Sequence, residues 1–218
     1  MFDSRIIRRL GWIALLFPVL IVAAISVIRD SLPMRWNVSG QEIIRHYAAH
    51  NGSELTSFYF FASGLTVFTL VAVSLAAALK ALTDSTILPY SVIAGTAILF
   101  GGGAASGAAD LGLIEGAKRG IPVGTAETFQ AINSTVTPFA FQVGGAIVAV
   151  AVGLGVLIAN RGWRWAAWIL IVVGLSLVLG QYALPLFPLA LVLVSFAVAR
   201  IYDTPAIRVE VEPNGVVP

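Results

Sequence analysis

Residues 10–28 read LGWIALLFPVLIVAAISVI, nineteen positions with no charge among them. A helix needs about 20 predominantly apolar residues to cross a hydrocarbon core of about 30 Å. The apolar core of a cleaved signal peptide is about 7–15 residues long. This stretch is longer and is followed by no clear small-x-small cleavage site, so it reads as an uncleaved first span. Arg5, Arg8 and Arg9 stand immediately before it. The same reading repeats along the chain, at residues 57–81, 87–109, 138–159, 163–182 and 184–202.

The bulk figures agree. Of 218 residues, 58% are strongly apolar and 11% are charged, and the mean hydropathy is +0.92. Soluble domains carry about 25% charged residues. This excludes disorder, nucleic-acid binding and an ordinary cytosolic enzyme. There is no cysteine, so disulfides, thiolate nucleophiles, c-type haem and iron–sulfur clusters are excluded together. No cofactor motif is present. The expected fold is an all-α integral membrane protein, one bundle of about six transmembrane helices over residues 1–202, with the bilayer as its first partner. Residues 203–218 read as a mobile cytoplasmic tail.

Two polar stretches interrupt the spans. In 29–56, Ser39 and Glu42 have capping-box spacing, and Ile43, Ile44, Tyr47 and Ala48 share a helical face before Asn51-Gly52. A short amphipathic helix lying on the membrane surface fits this pattern. The stretch 110–124 reads as a glycine-rich loop. A second surface helix is expected near 125–136, because one helix from 125 to 159 would be about 52 Å long and overshoot the core. Pro138 marks its kink or a fresh start.

Lys and Arg set the orientation. The amino-terminal side holds Arg5, Arg8, Arg9, Lys80, Arg161, Arg164, Arg200 and Arg208. The other side holds Arg29, Arg35, Arg45, Lys118 and Arg119. The positive-inside rule then puts both termini in the cytoplasm and both polar stretches outside.

Three groups of residues are candidates for function. Asp110, Glu127, Gln130, Asn133, Thr137, Gln142, Gln181 and Tyr182 all fall toward the outer side and are candidates for one polar pocket. Glu42, His46, His50 and Glu54 recur every four residues. Adjacent members such as His46 and His50 have metal-ligand spacing, but members eight apart are about 12 Å distant along a straight helix. The bland reading of that row is a solvated face. Gly103 and Gly107 have small-x-x-x-small spacing, which lets helices approach closely within the bundle or against a membrane partner or second copy. No Lys or Arg lies in the middle of a span, and no paired aspartates lie inside one.

Arg9-Leu10-Gly11, the first outer stretch ending at Asn51-Gly52, and Phe129-Gln-Ala-Ile-Asn-Ser134 together resemble a group of bacterial multi-pass proteins of about this length and of no established activity. The resemblance implies about six spans and a bacterial inner membrane. The leading expectation is a non-enzymatic scaffold, sensor or accessory subunit. The alternatives are a small transporter or channel with an outward vestibule, and a membrane metal-handling protein or enzyme using His46 and His50.

Overall fold

The computed structural model describes residues 4–27, 38–159, 162–179 and 185–202. These residues are helical throughout apart from short turns, and no strand occurs among them. The helices are α1 (Ser4–Arg8), α2 (Leu10–Val27), α3 (Gly40–Leu82), α4 (Ile87–Arg119), α5 (Val123–Ala159), α6 (Arg164–Leu179) and α7 (Leu186–Tyr202). Four of them, α2 to α5, are long and apolar enough to cross a membrane, and α6 and α7 are shorter apolar helices. The predicted tail 203–218 and the outer ends at Gln181 and Tyr182 lie outside the described residues.

The bundle carries large apolar side chains on its outside as well as in its core. Trp12, Leu16, Val19, Val22 and Ile25 form an exposed stripe along α2. Trp165, Trp168, Ile169, Val172 and Leu175 do the same on α6. Exposed apolar patches on soluble monomers seldom exceed a few hundred Å², so side chains of this kind call for an apolar surrounding. The interior combines large apolar side chains such as Phe17, Phe68 and Leu75 with small residues where helices cross. Gly95 and Gly144 face each other where α4 crosses α5. A Cβ at Gly95 would stand 2.8 Å from the Gly144 carbonyl oxygen, and one at Gly144 would stand 2.6 Å from that of Gly95. Gly103 gives its space to Leu65 of α3, and Gly107 gives its space to Phe58 of the same helix. These two glycines are therefore covered within the chain itself.

The helix expected at 39–51 is set off from the rest of α3 by a kink at His50, and the one expected at 125–136 is the first part of the longer helix α5. Helix α3 runs through Asn51 and Gly52. It bends at His50, whose backbone leaves the helical region at φ −113°, ψ 17°. Two carbonyls at the bend find side-chain donors. His50 Nδ1 donates to the His46 carbonyl at 3.1 Å, and Ser53 Oγ donates to the His50 carbonyl at 2.8 Å. Asn51 is a tether rather than a stop, since its amide donates to the Ile114 carbonyl at 2.7 Å. Helix α5 runs unbroken through the buried Pro138. The ring forfeits one bond to Ser134, a loss that surrounding packing offsets.

Likewise the loop expected at 110–124 shrinks to three residues. Helix α4 continues to Arg119 and closes on Gly120, whose φ of 76° is the left-handed conformation that glycine adopts without strain. The sequence signal for this was present, because Leu113 and Ile114 sit on the helical face begun by Ala109 and are buried.

At about 1.5 Å per residue, α3, α4 and α5 measure roughly 65, 50 and 55 Å. Each overshoots a hydrocarbon core of about 30 Å. The excess lengths associate with one another. Ile43, Tyr47, Leu113, Ile114 and Ala126 form a small apolar core separate from the main one. The apolar face of the first stretch of α3 is thus covered by α4 and α5, not left free to lie on a membrane. This three-helix cap resolves the length problem that had suggested a split.

Candidate functional site

A cavity of about 300 Å³ lies where the cap meets the bundle. Helix α3 supplies His46, Tyr47, Glu54 and Ser57, with Phe58 and Phe61 below. Helix α4 supplies Ser106, Gly107 and Asp110, with Ser106 and Asp110 one helical turn apart. Helix α5 supplies Gln130, Asn133 and Thr137 at spacings of three and four. Ile21, Ala24 and Ile25 of α2 close the last side, and the exposed Ile25 marks the mouth.

The polar groups form one chain of hydrogen bonds across three helices. Thr137 Oγ1 donates to Ser106 Oγ, and Ser106 Oγ donates to Asn133 Oδ1. Asn133 Nδ2 donates to Asp110 Oδ1 at 3.3 Å. Tyr47 Oη donates to the same oxygen at 2.6 Å. Every donor in the chain points toward Asp110, which is its terminal acceptor. Asp110 stands just beyond the predicted span 87–109. Burial raises its carboxyl above the ordinary carboxylate range, the Tyr47 hydrogen bond opposes that shift, and the nearby Glu54 adds to it.

Beside this chain, His46 Nε2 meets Glu54 Oε1 at 2.9 Å, with both side chains largely buried. The pair is eight residues apart, a separation that a straight helix spans with about 12 Å. Their approach corrects the expectation that members eight apart stay separate. The bend at His50 and the reach of the two side chains bring them together. The row Glu42-His46-His50-Glu54 is therefore not one solvated face. Glu42 is exposed, whereas Glu54 is 6% exposed. The rings of His46 and His50 lie with centroids 4.6 Å apart, yet one nitrogen of each is engaged, His46 Nε2 with Glu54 and His50 Nδ1 with a backbone carbonyl. Among the described residues, no group of three His, Cys, Asp or Glu side chains is placed to hold a metal ion.

The predicted pocket residues divide. Asp110, Gln130, Asn133 and Thr137 line the cavity. Glu127 does not; it is a cap, its Oε1 accepting from the Gly40 N–H at 3.0 Å while Ser39 Oγ accepts from the Glu42 N–H at 3.3 Å. The predicted capping box is thus completed from another helix. Gln142 is half-buried further along α5 and is not in the lining. Gln181 and Tyr182 are outside the described residues. Five polar lining residues went unassigned to the pocket from sequence: His46, Tyr47, Glu54, Ser57 and Ser106. The spacing of Ser106 and Asp110 was the available signal for one of them. Tyr47 reads from its spacing as part of an apolar face.

No family model, curated protein or solved structure matches the chain.

Proposed function

We propose that the chain is a six-span bacterial inner-membrane protein, both termini cytoplasmic, that holds a small molecule in the outer cavity and acts as a non-enzymatic sensor or accessory subunit. The observation that carries this reading is where the cavity ends. Its lining on α5 stops at Thr137. The next turns bring Gly144 against Gly95, where a Cβ on either would stand within 3 Å of the other's carbonyl oxygen. Beyond it Val148, Ala149 and Val152 are buried in the main apolar core. A vestibule for transport needs a path past Gln142, and tight backbone contact supports a closed floor there. The exposed stripes on α2 and α6 support the membrane setting. The six-span count adds α6 and α7 to the four long helices, and the Lys and Arg distribution supports the orientation.

The absence of cysteine makes labelling a direct test. A membrane-impermeant maleimide added outside intact cells should modify Thr137→Cys and leave Val148→Cys and Val152→Cys unmodified. Labelling of the two deeper positions from the outside would replace the binding reading with a conducting path. A reporter fused at Asn51 that is active only in the cytoplasm would overturn the orientation.

A further inference from the structure

The identity of the molecule held is legible in how the lining spends its donors and acceptors, taking the outer cavity to be a binding site. The hydroxyls of Tyr47, Ser106 and Thr137 and the amide of Asn133 all donate within the chain that ends at Asp110. Acceptors remain in excess. Glu54 brings a second carboxylate. Gln130 Oε1 is shut off from solvent and has no hydrogen-bond partner among the described residues. A buried polar atom left without a partner costs about 1–3 kcal/mol, so such an atom beside a cavity points to a donor that arrives with a ligand. No lysine or arginine is among the described lining residues. The remaining wall is apolar and aromatic: Ile21, Ile25, Phe58 and Phe61.

We infer that the outer cavity takes an amphiphilic organic amine, its ammonium donating to Glu54, Asp110 and Gln130 and its hydrocarbon part lying against Ile21, Ile25, Phe58 and Phe61. Two carboxylates and an amide carbonyl match the three N–H donors of a primary ammonium. A carboxylate or phosphate ligand would instead meet two acids and no lysine or arginine, with His46, the basic group of the lining, already facing one oxygen of Glu54. The phenyl faces add attraction for a cation held nearby. At about 30 Å³ per water-sized group, a cavity of about 300 Å³ accepts roughly ten non-hydrogen atoms.

The test uses the full chain in lipid nanodiscs and three probes of equal tail length: octylamine, octanol and octanoate. Octylamine should bind saturably, one per chain, and at least tenfold tighter than either comparator. Glu54→Gln should weaken it at least tenfold. Gln130→Leu should weaken it by a similar order while leaving thermal stability unchanged or higher, because it removes the unpartnered carbonyl and keeps the volume. That second variant separates loss of the ligand contact from loss of folding. Octanol or octanoate binding as tightly as the amine overturns the amine assignment but leaves the cavity a binding site. Octylamine uptake that neither variant weakens is partition into lipid and overturns the assignment. Saturable binding of none of the three overturns both the assignment and the binding reading beneath it.

Discussion

Substituting Gly144 by alanine adds a single carbon where the backbone of another helix already stands. That Cβ would lie 2.6 Å from the Gly95 carbonyl oxygen, 2.9 Å from the Leu99 amide nitrogen and 3.0 Å from Leu99 Cβ. The first two neighbours are main-chain atoms, so no rotamer change relieves them. Helices α4 and α5 must separate. Overpacking of this kind costs about 1–3 kcal/mol. For a chain of this size, 1 kcal/mol moves the melting temperature by about 2–4 °C. Gly144→Ala is therefore expected to melt about 2–12 °C below the parent, read as loss of the monodisperse peak on heating detergent-solubilised protein. Gly101 is the internal control. It lies on the same helix as Gly95, and nothing stands within 4 Å of its added Cβ. Gly101→Ala should be neutral or raise stability by up to about 1 kcal/mol, since alanine is the better helix former. The double variant Gly95→Ala with Gly144→Ala should cost less than the sum, because one separation relieves both contacts. Equal melting temperatures for Gly144→Ala and Gly101→Ala would refute the reasoning.

Two further outcomes are expected. Removing either His46 or Glu54 strands a largely buried polar partner, so His46→Leu and Glu54→Leu should each destabilise by about 1–3 kcal/mol, and the double variant by less than their sum in a thermal-melt cycle. Asp110 has a carboxyl raised by folding, so the folded state binds its proton more tightly than the unfolded chain does. Its contribution to stability is then greatest at acid pH and declines as pH rises above the ordinary carboxylate value of about 4; Asp110→Asn should flatten that part of the melting-temperature profile, and a decline of equal slope in the variant would assign it to another group.

Much of the molecule was legible in the chain. Uncharged apolar runs determine where helices can cross a membrane, because an exposed backbone or charge is costly there. The runs at 57–81, 87–109 and 138–159 all fall inside helices of the structure. What failed was the reading of helix ends. Asn51-Gly52, Gly112 and Pro138 are stop signals in isolation. Gly112 and Pro138 are overridden by other helices, through the ring of Phe129 and through burial, whereas next to Asn51-Gly52 the chain does leave the helix, at His50, before it resumes directly. The candidate pocket divided for the same reason. Spacing along one helix picked out Glu127, Gln130, Ser134 and Thr137 with Asn133 beside them, but it could not tell that Glu127 would turn to cap α3 or that Asn133 rather than Ser134 would line the cavity.

By itself, then, the sequence determined the helical class, the apolar segments and the gathering of polar residues into a few stretches between them. Each of these follows from local composition against a fixed apolar thickness. Only the tertiary structure decided that α3, α4 and α5 rise together into a cap. It also decided that His46 meets Glu54 across a bend and that a chain of hydrogen bonds ends on Asp110, which accepts from Tyr47 and Asn133. Those are contacts between residues distant in sequence or across a distorted turn, and their energy depends on the packing of three helices at once, which no periodicity along one of them records.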